Sequence, residues 1–228
     1  MARPHFHETL QETELRLLTL GELAGNAVQR AVEAVLEHDD EAAEGVVAGD
    51  DEIDLIYLEL DQGMLSLLAL QAPVAADLRL ISVIMHSSLH LERIGDQAVN
   101  IAKTFLSVRH LAGSDQVRSH IREMGDIVRP MIRTAMEAFR NRDLALCLQL
   151  PEMDDPVDRL NLGMYQEIAA LAHDPAQLGW GLRMLVLARN LERVGDNAVD
   201  VAEQVGFLLT GEFREFTDAS HPVIVEME

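Results

Sequence analysis

Apolar residues recur at three- and four-residue spacing along nearly the whole chain, with polar residues filling the gaps, so the pattern is helical throughout. Strand-like alternation occurs only in the tail His221–Glu228. Breakers divide the helical pattern into six segments, at about residues 6–37, 40–70, 74–109, 115–140, 143–172 and 176–211. Asp39 and Asp143 are placed to cap helix N-termini, and AGSD, Ala112–Asp115, makes the turn after the third segment. Pro151 is expected to bend the fifth helix. Three long helices per half, joined by short turns, give antiparallel neighbours. The expected fold is all-α: two tandem three-helix bundles, residues 1–112 and 113–212, followed by a tail, 213–228.

The halves are copies of one unit. LERIGDQAVNIA from Leu91 returns as LERVGDNAVDVA from Leu191, identical at eight of twelve positions and near-isosteric at the other four. A second pair, GDDEIDLIYLEL from Gly49 and MDDPVDRLNLGM from Met153, shares Asp-Asp-x-x-Asp on the middle helix of each half.

At about 100° per residue, Leu91, Ile94, Ala98, Ile101, Ala102 and Phe105 share one face, while Glu92, Asp96 and Asn100 lie away from it. Glu192, Asp196 and Asp200 repeat that register. On the middle helices Asp50 and Asp54, and again Asp154 and Asp158, stand at i and i+4 away from the apolar stripe. If the helices are neighbours, each half gathers four or more carboxylates on an outer groove. Acids on a helix face are often only a solvated face. Like charges at i and i+4, however, cost about 0.2–0.5 kcal/mol per pair, and a bridging cation reverses that sign. Oxygen-only donors suit hard cations such as Mg²⁺, Ca²⁺, Mn²⁺ or iron. Gly95 and Gly195, on the edge of the core stripe, are expected to mark close approach of a neighbouring backbone.

Composition narrows the function. A net charge of −21 among 228 residues repels a phosphate backbone, which argues against nucleic-acid binding and for cationic partners. Cys147 stands alone, with a leucine on either side, as a core thiol. No signal-peptide pattern and no run of eighteen apolar residues is present, so a soluble, cytoplasmic protein is expected.

Glu92-Arg93-Ile94-Gly95-Asp96 and its twin Glu192-Arg193-Val194-Gly195-Asp196, with QAPVAADLR from Gln71 to Arg79 and FLLTGE from Phe207 to Glu212, resemble the PhoU family of phosphate-signalling regulators. The resemblance covers nearly the whole chain. It implies two PhoU-type three-helix bundles forming a cytoplasmic adaptor, membrane-peripheral through its partners and without catalytic activity; its partners would be a phosphate ABC transporter ATPase and a sensor histidine kinase, and its state a homodimer. It implies multinuclear metal sites, iron or else Mn, Mg or Zn, on Asp50, Asp54, Glu92 and Asp96 in the first half. In the second half they fall on Asp154, Asp158, Glu192 and Asp196, with Asp51, Asp155 and Asp200 as further candidates. The second half lacks the Gln-x-Pro-x-Ala-x-Asp-Leu-Arg stretch, reading HDPAQLGWGLR instead.

Where the first face presents Asn100 and Lys103, the second presents Asp200 and Glu203. The second site is therefore expected to hold its metal more tightly, provided Arg189 does not neutralise the gain. His86 and His90 lie off the acid stripe. A di-iron oxidase is disfavoured because no histidine has a glutamate three residues earlier. A metal-free helical scaffold remains the alternative.

Overall fold

The computed structural model describes residues 3–71 and 73–216. Its helices are α1 (Arg3–Glu37), α2 (Asp40–Ala48), α3 (Asp50–Gln71), α4 (Ala75–Val108), α5 (Asp115–Asn141), α6 (Leu144–Cys147), α7 (Leu150–Ala169) and α8 (Pro175–Thr210). There is no strand among the described residues, and the alternating stretch 221–228 lies outside them.

The four long helices build the centre. α4 packs most extensively on α8, α1 lies against α4 and α5, and α5 lies against α8. The shorter pairs α2–α3 and α6–α7 flank this layer, on the α1–α4 side and the α5–α8 side respectively. The two halves therefore do not stand apart: Leu20, Ile84, Leu91, Ile121, Met184 and Leu191 belong to one continuous core. Leucine, isoleucine, valine, alanine and methionine supply most of it, which suits helices packed through small and flexible side chains.

Both first helices end by the same device. His38 and Arg142 adopt left-handed φ values of 58° and 54°, although such a conformation costs a non-glycine residue about 1–2 kcal/mol. The N–H groups of Asp39 and Asp143 then return to Ala34 and Ala138 carbonyls at 3.0 and 3.1 Å. The Asp39 carboxylate accepts the Ala42 N–H, and that of Asp143 accepts the N–H groups of Ala145 and Leu146, so each acid starts the next helix. Packing offsets the backbone cost: His38 meets Phe105 edge-on and the Arg142 guanidinium lies over Phe139.

Two of the six expected segments are broken in two. Gly49 closes α2, its N–H bonding to Gly45 and Val46 carbonyls, and leaves Asp50, Asp51 and Glu52 as the first turn of α3. Carboxylates there meet the positive end of the helix dipole. The segment 143–172 divides after the single turn of α6. Pro151 does not bend a continuous helix; it occupies the first turn of α7, where no N–H is required. Helix α7 thus begins before its Asp-Asp-x-x-Asp element, whereas α3 begins at that element.

Candidate metal centre

In the first half, α3 packs against α4 and brings the two acid pairs within electrostatic reach of each other. Partial burial raises the Asp50 carboxyl, and the charges of Asp54, Asp96 and Asp51 raise it further, with Lys103 opposing. Glu92 is raised by partial burial and then by Asp96, Asp54 and Asp50, with Arg93 opposing. Asp50, Asp54, Glu92 and Asp96 therefore form one mutually repelling set. Asp51 points outward at the start of α3 and is exposed.

The second half is built differently. Asp154 and Glu192, expected on the solvent side, are buried, at 7% and 6% exposure. Asp154 lies against Gly195, where an added β-carbon would overlap its Oδ1. Its positional twin Asp50 has no such seat: Gly95 faces Ile53, whose Cδ1 and Cγ2 would lie 2.9 and 3.0 Å from an added β-carbon. Both glycines thus mark the approach of a neighbouring side chain, not of a backbone. A longer lead-in to α7 accompanies the change of partner: the acid element now sits inside the helix instead of in its first turn.

Arg189, three residues before Glu192, pairs with Glu192 Oε1, while Oε2 is buried without a hydrogen-bond partner. Asp196 is raised by burial first and by the charge of Asp158 second, with Arg189 and Arg193 opposing. Asp158 and Asp196 thus face each other across α7 and α8, and Asp155 is half-buried beside them on α7.

Asp200 turns towards α4. Its Oδ2 lies 3.2 Å from His90 Nδ1, which also meets Asn197 Oδ1 at 3.0 Å. Burial lowers the His90 pKa, but the Asp200 and Asn197 hydrogen bonds outweigh it and the net direction is upward. Sequence periodicity placed His90 off the acid stripe and missed this contact, because the stripe describes one helix while the partner belongs to the other repeat. Glu203, counted in the sequence only as an added acid on the second face, proves to be a buried one. Burial pushes its pKa up to about 7, with Asp200 and Glu215 adding, although the Phe216 N–H donates to Oε1 and His90 lies near.

A raised acid stabilises the fold in its protonated form. The Glu203 contribution is present below the ordinary value of 4.5 and is lost as pH rises through about 7. Glu203→Gln keeps an acceptor for the Phe216 N–H without the charge. It is expected to stabilise the protein at pH 8 by about 2–3 kcal/mol and to have little effect at pH 4.5. Urea unfolding at the two pH values measures this, and equal effects at both would remove Glu203 from the pH dependence.

All candidate donors are carboxylates, which fits a hard cation better than a soft one. The first set has the charge for one, as its mutual repulsion shows. Even so, no three His, Cys, Asp or Glu side chains among the described residues are arranged to hold one ion, so bridging carboxylates would have to turn inward.

An all-helical chain made of two fused copies of one bundle, each with an acid face on its second and third long segments, defines the class. The family model described as PhoU domain matches it twice, over residues 17–105 and 121–205, and the chain belongs to the PhoU family. It is 33% identical over 217 residues to a phosphate-specific transport system accessory protein PhoU homolog of Pseudomonas putida, covering 95% of this chain and 83% of that protein. A homolog of the same description from Clostridium acetobutylicum is 31% identical over 220 residues, covering 96% and 100%. The crystal structure of PhoU from Pseudomonas aeruginosa superposes with a TM-score of 0.87 at 32% identity, over 91% of this chain and 100% of that one. That of the phosphate transport system regulatory protein PhoU from Streptococcus pneumoniae gives 0.83 at 28% identity, over 92% and 99%.

Proposed function

We propose that this protein regulates phosphate uptake and signalling, as a cytoplasmic homodimeric adaptor between a phosphate ABC transporter ATPase and a sensor histidine kinase. The family match in both halves, with relatives described as accessory proteins of phosphate transport, carries this reading. Its role is to hold the starvation response off when phosphate is plentiful, without catalysis of its own. No described helix is long and apolar enough to cross a membrane, which agrees with attachment through partners.

The segment Gln71–Arg79 is one docking element in this reading; Ala72 within it lies outside the described residues. It exposes Val74 and Leu78 beside Leu70, while Arg79 is drawn back over Phe207 near the end of α8. Deleting the gene is expected to switch on phosphate-starvation genes in phosphate-rich medium, read with a transcriptional reporter. An unchanged reporter would reject the assignment.

The acid faces bind metal ions in the same reading, through Asp50, Asp54, Glu92 and Asp96, and through Asp158 and Asp196 with Asp154, Asp155, Glu192 and Asp200 behind or beside them. Such an ion would neutralise the repulsion between helices and lock α3 on α4 or α7 on α8. A metal-free scaffold is the second reading, favoured by the lack of a three-ligand cluster among the described residues. Metal analysis of protein purified without chelator separates them: several equivalents of iron or manganese support the first, none the second.

A further inference from the structure

Helix α3 is apolar on two opposite sides. Ile53, Leu60, Met64 and Leu67 enter the core, while Leu55, Leu58 and Leu65 stand in solvent at 57%, 50% and 51% exposure. At about 100° per residue, Leu55, Leu58, Gln62, Leu65 and Ala69 fall within about 80° of one another, opposite the buried stripe. Gln62 and Ala69 are exposed as well. The five follow one another at steps of three, four, three and four residues, the a/d spacing of a helix that packs lengthwise on another helix. This face spans about 21 Å. It continues in sequence into Leu70, Val74 and Leu78, which are also exposed.

Charge restricts what can cover this face. Helix α3 carries six acids and no base. With Leu55 and Gln62 at a and Leu58 and Leu65 at d, Glu52 and Glu59 take the e positions and Asp54 and Asp61 the g positions. Arg16 of α1 pairs with Glu59, whereas Glu52, Asp54 and Asp61 are in no ion pair with another described residue. Both edges of the stripe are therefore negative. Such edges repel a second α3 laid on the same seam, and they repel an anionic bilayer surface. The other repeat has no such seam. Counted from the shared Asp-Asp-x-x-Asp elements, Arg159, Leu162, Gln166 and Ala169 replace Leu55, Leu58, Gln62 and Leu65, while Gly163 and Tyr165 replace Glu59 and Asp61. The seam thus belongs to the half that alone carries the Gln71–Arg79 stretch.

We propose that the outer seam of α3 docks an amphipathic helix of a partner protein, one whose own apolar stripe is bordered by lysine or arginine. Leu55, Leu58 and Leu65 are the anchors, and the acids at e and g select the basic edges. Gln62, a polar group at an a position, fixes the register by favouring a polar residue opposite it. The contact is small and its charges lie at a solvent-exposed edge, so it is weak, salt-sensitive and reversible. It deepens the docking reading given above by naming the chemistry of the segment that docks. Peptide binding tests it apart from the phosphate role, which the reporter tests.

The probe is a fluorescently labelled synthetic peptide of about three heptads, with leucine at a and d, one asparagine at an a position, and lysine at e and g. Its anisotropy is followed as the 228-residue chain is added at low salt. Wild type is expected to bind it. Leu58→Ser with Leu65→Ser should weaken binding about tenfold or more, and Leu162→Ser on α7 should leave it unchanged. The altered leucines are exposed, so an unchanged circular-dichroism melt verifies that the variants are folded. Glu52→Gln with Asp61→Asn should weaken binding about threefold or more, and a peptide with glutamate at e and g should not bind. Equal binding of a scrambled lysine peptide, or of the leucine variant, would reduce the effect to general attraction to an acidic chain and overturn the proposal. So would a wild type that does not bind, or one that binds the glutamate peptide as well. Leucine-dependent binding to phospholipid vesicles, or a leucine-dependent doubling of mass in sedimentation, would give the seam to a membrane or to a second copy instead.

Discussion

Gly195→Ala is expected to destabilise the protein by about 2–4 kcal/mol, whereas Gly95→Ala, in the identical motif, should cost about 1 kcal/mol or less. Alanine gains about 1 kcal/mol over glycine in a helix interior, so each value is a clash less that gain. At Gly95 the new methyl meets Ile53, an aliphatic side chain whose end can rotate aside. At Gly195 it meets the buried Asp154 carboxylate, with Met131 Cε only 3.5 Å away. Moving that carboxylate breaks the seat of a polar group that water does not reach. Urea unfolding of both variants measures the difference. Combining Gly195→Ala with Asp154→Ala should show a coupling above about 1 kcal/mol, and additive effects would show that the carboxylate is not the obstacle.

The glycine pair also shows what the sequence could and could not reveal. Repeat, helix content and the apolar stripe were legible, because helical periodicity is written in consecutive residues. Gly95 and Gly195 look alike in sequence, yet one faces Ile53 and the other Asp154, since α3 starts at its acid element and α7 starts ahead of its own. The signals for that difference were Gly49 and Pro151, which mark helix starts instead of bends. A helical wheel orients a residue on its own helix and says nothing of what the neighbouring helix lays over it. Burial of Glu192 and the reach of His90 to Asp200 therefore escaped it.

The same reasoning reverses the expected order of the two acid faces. Counting acids favoured the second half, through Asp200 and Glu203, on the condition that Arg189 stayed clear. Arg189 instead pairs with Glu192, Asp200 is held by His90, and Glu203 accepts the Phe216 N–H. Only Asp158 and Asp196 remain facing each other with cationic neighbours at Arg189 and Arg193. The first half keeps Asp50, Asp54, Glu92 and Asp96 in one field, and Lys103 nearby is exposed and outside any ion pair among the described residues. Mn²⁺ or Fe²⁺ titrated into metal-free protein is therefore expected to fill the first face before the second, with Asp96→Ala abolishing the tighter class and Asp196→Ala the weaker. At 100 times its Kd, a cation bound only to the folded state stabilises by about 2.7 kcal/mol, which a thermal melt resolves. Because burial and neighbouring carboxylates raise Asp50 and Glu92, acidification should protonate them and release the ion. Arg189→Gln frees Glu192 and should tighten the second class while leaving the first unchanged. Loss of the tighter class in the Asp196 variant would restore the charge-counting order, and no stabilisation by either cation would leave the scaffold reading in its place.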